Sequence, residues 1–254
     1  MEGHSLRNQA YSSDVHFWKH GRIGETMIVR GEHGLGHESA GIVVKLGRGV
    51  TQFKEGHTSN CEGANSIGDR VAIEPGIPCS KPTCYFCRTG RYNACPDVKF
   101  FSTPPYNGTL TRYHAHPAAW LHPLPDNISF EEGALLEPLS VALAAVIRAK
   151  LSLGLSTLIC GAGPIGLITL LCGAAAGCEP LIITDLDQGR LNWAKRLVPR
   201  VHAIKVSKDD TPKDTAEKIK AHGGNEGIGC ALECTGAESS VSTAIYVLFF
   251  SLLG

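Results

Sequence analysis

The stretch that most narrows what this chain can fold into is STLICGAGPIG, residues 156–166, taken together with Asp185. A short apolar run, Thr157–Cys160, breaks into the turn Gly161, Ala162, Gly163, Pro164, Ile165, Gly166, and an apolar, alanine-rich segment follows at residues 167–176. The order is strand, glycine turn, helix. A second apolar run at residues 180–184 ends against Asp185, 19 positions after Gly166, where a dinucleotide-binding unit carries the acid that holds the adenosine ribose. Each glycine has its own physical reason. Gly161 permits the tight turn, Gly163 lets backbone approach a pyrophosphate, Gly166 lets helix pack on strand, and the helix N-terminus faces the anion. A lone GxGxxG says little; in this setting, with the acid in place, it predicts dinucleotide binding.

The same alternation continues downstream. Helical patterns at residues 188–197 and 212–222 are interleaved with strand patterns at residues 202–206 and 229–233, which predicts a doubly wound parallel sheet. The N-terminal half reads differently. Residues 31–50 are glycine-punctuated and rich in β-branched side chains, residues 69–73 resume as a strand, and further strands are expected at residues 110–114 and 120–124. Ser129 followed by Glu132 is a capping box that opens a helical region over residues 133–150. The expected fold is therefore α/β, with a β-rich domain at residues 1–145 and a nucleotide-binding domain at residues 146–254.

Composition excludes several classes. Lys plus Arg and Asp plus Glu both number 24, so no basic field invites nucleic acid or an anionic membrane. The N-terminus is polar, and the longest apolar stretch, residues 244–253, is too short to span a bilayer. These features point to a soluble, cytoplasmic protein with no nucleic-acid or membrane partner. The chain has 10 cysteines, which in a cytosolic setting suggest metal rather than disulfides where they cluster.

Cys79, Cys84, Cys87 and Cys95 are so clustered, within a Pro- and Cys-rich lobe at residues 75–105 that has almost no hydrophobic periodicity. Four thiolates from one loop can close a tetrahedron around Zn²⁺ with no open position, ordering a segment that lacks a core. Free thiols in a loose loop account poorly for the clustering, and a nucleic-acid-binding zinc ribbon would want a basic run that is absent. A second group is Gly36, His37, Glu38 and, far along the chain, Glu137 at the start of an apolar helix. A carboxylate in such a place is expensive unless a metal, a cation or hydrogen-bond donors compensate it.

Taken together, the cysteine lobe, His37, Glu38, Glu137 and the dinucleotide unit resemble the zinc-dependent medium-chain dehydrogenase/reductase family, in its polyol dehydrogenase branch. The resemblance runs from SDVHFW at residues 13–18 to ALECTG at residues 231–236, through LICGAGPIGLITLL and ITDLDQGRL. It implies a GroES-like catalytic domain followed by a Rossmann domain, and NAD-dependent oxidation of a polyol of the L-arabinitol, xylitol or sorbitol type to a ketose. His37 and Glu38 would be catalytic-zinc ligands, with Glu137 approaching the metal directly or through its water. Ser13 would orient or relay the substrate proton, and Phe17, Phe100 and Thr103 would line the polyol pocket. Gly161, Gly163, Pro164, Ile165, Gly166, Asp185 and Arg190 would hold the cofactor, with Asp185 favouring NAD over NADP. The four cysteines would be the structural zinc site. Full-length relatives form homo-oligomers.

The sequence also departs from the family. Tyr11 stands where the family's zinc thiolate is expected, and a phenol is bulkier and far less acidic than a thiol. The first ten residues do not resemble the opening strands, so the barrel is expected to lack them and to leave unpaired edges. Residues 57–68 look inserted, and residues 246–253 no longer follow the family pattern, so the coenzyme sheet is expected to be incomplete. The expectation is about one zinc per chain, in the cysteine lobe. A catalytically weak fragment that keeps structural zinc and partial NAD binding is the alternative, and a zinc-binding interaction module without redox chemistry is a third reading.

Overall fold

The computed structural model describes residues 7–9, 12–56, 68–223 and 227–249. The chain divides into two compact units, Met1–Glu137 and Pro138–Gly254. Among the described residues no helix is long and apolar enough to cross a membrane.

The first unit contains β1 (Arg7–Gln9), α1 (Ser12–His20), β2 (Arg22–Ile23), β3 (Met27–Ile28), β4 (Glu38–Ile42), β5 (Arg70–Ile73), β6 (Gly76–Ile77), α2 (Tyr85–Arg88), β7 (Lys99–Phe100), β8 (Leu121–Pro123) and α3 (Phe130–Ala134). Its main sheet is antiparallel in the order β1-β4-β5-β8. Val43, Phe53 and Val71 form a buried cluster beside it, flanked by Leu46, Val50, Ala118 and Leu121. The capping box holds: Ser129 Oγ accepts the Glu132 N–H at 3.1 Å and Glu132 Oε2 accepts the Ser129 N–H at 2.7 Å.

Two expectations are corrected in this unit. Residues 7–9 pair with β4, Arg7 opposite Ala40 and Gln9 opposite Glu38, so this edge of β4 is covered by the short N-terminal segment that shows no strand pattern of its own. Residues 110–114, expected as a strand, form none. The N–H groups of Gly108, Thr109 and Leu110 donate instead to the carbonyls of Gly34, Gly36 and Leu35, and Thr111 turns back to hydrogen-bond Thr109 O and Tyr113 O. Those donors are spent on the Gly34 to Gly36 segment rather than on a neighbouring strand. Tyr11 and residues 57–67 lie outside the described residues.

The helix α4 (Leu136–Ala149) carries the chain from the first unit into the second. The second unit continues with β9 (Thr157–Cys160), α5 (Pro164–Ala175), β10 (Leu181–Asp185), α6 (Gln188–Leu197), β11 (His202–Lys205), α7 (Pro212–Lys220), β12 (Cys230–Glu233) and α8 (Glu238–Phe249). Its four described strands are all parallel, in the order β11-β10-β9-β12. The apolar runs of β9 and β10 are continuous because both faces are covered. Ile159, Leu181 and Ile183 face Leu170 of α5 and Leu191 and Ala194 of α6. Leu158, Cys160 and Ile182 face Ala216 and Ile219 of α7 and Ala244 and Val247 of α8. The apolar C-terminal stretch thus supplies a core helix up to Phe249. Strand order reverses between β9 and β12, and the crevice outside such a switch point is where doubly wound sheets bind ligands.

Candidate functional site

The four cysteines sit on the connection between β6 and β7, a two-stranded hairpin with Gly76 opposite Phe100 and Ile77 opposite Lys99. Their thiol sulfurs lie within 4.8 Å of one another. Cys79 Sγ is 3.7 Å from Cys87 Sγ, and Cys84 Sγ is 3.9 Å from Cys95 Sγ. A zinc–sulfur distance of about 2.3 Å gives a tetrahedral edge of about 3.8 Å, whereas a disulfide needs about 2.05 Å. The spacing fits structural zinc and excludes disulfides. Backbone N–H groups of Cys79 and Asp97 draw the Cys95 thiol down, while burial and the neighbouring thiols push Cys87 up. A Lys81 to Asp97 ion pair at 2.7 Å fastens the mouth of the lobe.

The second cluster is His37, Glu38 and Glu137, whose ligand atoms also lie within 4.8 Å of one another. His37 precedes β4 and Glu38 begins it; Glu137 lies in the first turn of α4. Glu38 is fully buried, and among the described residues neither carboxylate oxygen has a hydrogen-bond partner. Burial, with the Glu137 and Asp14 carboxylates nearby, pushes Glu38 up to about 7 despite the attraction of His37. Burial likewise raises Glu137. A buried and a half-buried carboxylate beside one imidazole are costly as they stand, and a divalent cation would satisfy all three. The donor set fits a metal with an open coordination position.

The helix α1 brings Ser13 and Asp14 to opposite sides of His37. Ser13 Oγ is 3.3 Å from His37 Nε2. His37 Nδ1 lies 3.1 Å from Asp14 Oδ2, within ion-pair range although the ring N–H is not aligned as a hydrogen bond. Asp14 is 2% exposed, and its Oδ1 accepts from Gly36 N at 3.2 Å and from Ser102 Oγ at 2.5 Å. Burial alone would raise the Asp14 carboxyl, but His37, Ser102 and the Gly36 N–H more than offset it and hold it low. Burial would lower His37, and Asp14 with the two glutamates reverses that and raises it. Asp14 lies in the SDVHFW stretch that carries the resemblance but receives no role from it, and nothing in the sequence marks Ser102.

Of the other expected pocket residues, Phe100 turns its ring to His37 at 5.8 Å between centroids. Phe17 is buried edge-on against His33. Thr103 lies in the turn after β7, donating its N–H to Phe100 O at 3.1 Å.

In the second unit Gly161 has φ +97°, a conformation that favours glycine, and a Cβ on Gly166 would run into the Gly161 carbonyl. Gly163 caps α5, with Pro164 in its first turn followed by Ile165, and a Cβ there would meet nothing within 4 Å. The turn is therefore closed where helix packs on strand and open where a pyrophosphate would lie. Asp185 Oδ2 accepts the Ala162 N–H at 2.7 Å, Oδ1 accepts the Asp187 N–H at 2.8 Å, and Arg190 Nη1 lies 3.9 Å from Oδ2.

This β-rich unit with its metal-type donor set, in one chain with a doubly wound parallel sheet, is the architecture of a zinc-type alcohol dehydrogenase. Residues 9–126 match the alcohol dehydrogenase GroES-like domain. The L-arabinitol 4-dehydrogenase of Aureobasidium melanogenum is 53% identical over 94% of this chain and 60% of its own length. The sorbitol dehydrogenase of Gallus gallus is 42% identical over 92% of this chain and 61% of its own. An Escherichia coli oxidoreductase/dehydrogenase of unknown specificity superposes with a TM-score of 0.81 at 35% identity, over 97% of this chain and 65% of that one. The chain belongs to the zinc-dependent medium-chain dehydrogenase/reductase family, in its polyol dehydrogenase branch. It spans about 60% of the length of the curated relatives it matches.

Proposed function

We propose that this chain serves the NAD-dependent oxidation of a polyol of the L-arabinitol type, or of xylitol or sorbitol, to the corresponding ketose. The observation that carries the reading is Glu38, a fully buried carboxylate with neither oxygen hydrogen-bonded among the described residues, set against His37 and Glu137. A zinc ion held by those three residues would supply a Lewis acid for a substrate hydroxyl, and NAD would supply the hydride acceptor. Ser13, 3.3 Å from His37 Nε2, offers its hydroxyl to the substrate proton. Asp14 Oδ2, 3.1 Å from His37 Nδ1, favours a proton on that nitrogen, which would leave Nε2 as the ligand atom. Phe100 shields one side of His37 from water, and Thr103 and Phe17 complete the proposed polyol pocket.

On the cofactor side, Gly161, Gly163, Pro164, Ile165 and Gly166 cradle the pyrophosphate at the start of α5, whose first-turn N–H groups have no partner within the helix. Asp185 accepts ribose hydroxyls and repels a 2′-phosphate, with Arg190 beside it. The working place is the cytoplasm, and the partner is a small polyol. Homo-oligomer formation belongs to the proposal for the whole protein.

The test is to purify the chain with zinc and follow NADH formation with L-arabinitol, xylitol and sorbitol. Polyol-dependent turnover that is lost on Glu38→Gln supports the reading. Zinc uptake at His37, Glu38 and Glu137 without turnover on any polyol would replace it by a second one, a metal- and NAD-binding chain that is catalytically weak. That second reading is favoured by a donor set of three residues, none of them a thiolate, among those described.

A further inference from the structure

Ser102 is buried, at 2% exposed, and has φ +65°, one of two non-glycine residues with positive φ among those described. A serine is uncommon in that region, and such a conformation persists only where the surroundings over-determine it. Its surroundings do so from both sides. The β6–β7 hairpin fixes Phe100, and the Phe101 N–H donates to Pro75 O at 3.0 Å. On the other side Ser102 Oγ donates to Asp14 Oδ1 at 2.5 Å, a contact between residues 88 positions apart. The same Oδ1 takes the Gly36 N–H, so these two donors pin one oxygen of Asp14 and leave Oδ2 facing His37 Nδ1.

We propose that Ser102 is a positioning residue: its hydroxyl fixes the Asp14 carboxylate, and through it the orientation and tautomer of His37. The strained backbone is what delivers that hydroxyl. Because Ser102 follows β7, and β7 leaves the four-cysteine lobe, order in the lobe reaches the His37 group through Phe100 on the imidazole and Ser102 on its carboxylate partner. The part of the inference that concerns metal rests on the proposed function; the part that concerns the tautomer does not.

The test compares Ser102→Gly and Ser102→Ala, purified with zinc in the four-cysteine lobe. Both remove the hydroxyl, but glycine relieves the positive φ while alanine keeps a Cβ there. The first readout is the histidine side-chain ¹H–¹⁵N spectrum of chain carrying zinc only in the lobe, followed upward in pH until His37, which burial lowers but Asp14 and the two glutamates raise further, is neutral. The natural chain should show one His37 tautomer, protonated on Nδ1, and both variants should show a mixture. The second is Co²⁺ titration of the His37 group by visible absorption, where both variants should bind about 10- to 100-fold more weakly, with zinc in the lobe retained. Ser102→Gly should unfold later than Ser102→Ala, since both lose the hydroxyl and only glycine relieves the positive φ. A natural His37 tautomer in both variants overturns the proposal, and so does a change confined to Ser102→Ala, which would assign the effect to backbone strain. If the natural chain takes no metal at His37, the proposed function fails, and the tautomer alone decides the role of Ser102.

Discussion

Asp185 accepts the backbone N–H of Ala162 at 2.7 Å, so the last residue of β10 closes the glycine turn that leaves β9. The acid proposed to select the cofactor is also a structural part of the cradle. Replacing Asp185 by Ser should therefore do two things. It should narrow the preference for NAD over NADP, and it should cost about 2 kcal/mol of unfolding free energy, the range of a hydrogen bond to a charged acceptor. Thermal melts with and without each nucleotide separate the effects. An unchanged NAD to NADP ratio would refute the ribose role, and an unchanged melt would refute the structural one.

The two glycines of the turn should behave differently. Gly166→Ala places a methyl against the Gly161 carbonyl, and backbone cannot retreat without parting helix from strand, so a loss of about 1–3 kcal/mol is expected. Gly163→Ala has open space and an ordinary φ of −72°. It should fold to within about 1 kcal/mol of the natural chain yet lose NAD affinity, because the methyl enters the volume proposed for pyrophosphate. Denaturant titration and NAD binding by calorimetry check both, and undiminished NAD affinity in Gly163→Ala would move the pyrophosphate elsewhere.

Metal in the cysteine lobe can be tested by ligand deletion. Chain purified with zinc should hold about one tightly bound equivalent after dialysis, and Cys84→Ser should hold none there, since closed four-thiolate sites tolerate no gap. The variant should also be cut faster by protease at residues 79–95, where the described secondary structure amounts to α2 and one 3₁₀ turn. Two tightly held equivalents would show that the His37 group binds zinc firmly without a thiolate.

What was legible in the sequence followed from locality. Thr157–Cys160, the Ser129 capping box and the spacing of the four cysteines each carry their signal within one short segment, and each stands where expected. Residues 7–9 carried none, because a three-residue strand is specified by its partner rather than by its own pattern. Residues 110–114 carried a false one: Thr111 and Tyr113 are side chains that strands favour, but such a preference yields no strand where the backbone bonds go to a turn instead. Asp14 and Ser102 escaped notice for the same reason in reverse. Their roles come from a contact across 88 positions and from a positive φ, neither of which leaves a mark in composition or period.

The last prediction concerns acid. His116 packs against Phe101 and His114, with ring centroids at 5.3 and 5.5 Å, and neither ring nitrogen has a hydrogen-bond partner among the described residues. Burial, reinforced by His114 and opposed by Glu74 and the Trp120 backbone, lowers its pKa from 6.5 to about 4. The unfolded chain therefore binds a proton more readily than the folded one between those values. Stability from this group is fully present above about pH 6.5 and is lost as pH falls toward 4. After discounting for its partial exposure, the loss from pH 7 to pH 5 should be about 1 kcal/mol. Other carboxylates and histidines titrate over the same span, so the informative quantity is the difference from His116→Gln. Urea melts at the two pH values should show a smaller drop in the variant. Equal drops would mean that His116 is hydrated enough in the folded chain to take its proton at the ordinary pH.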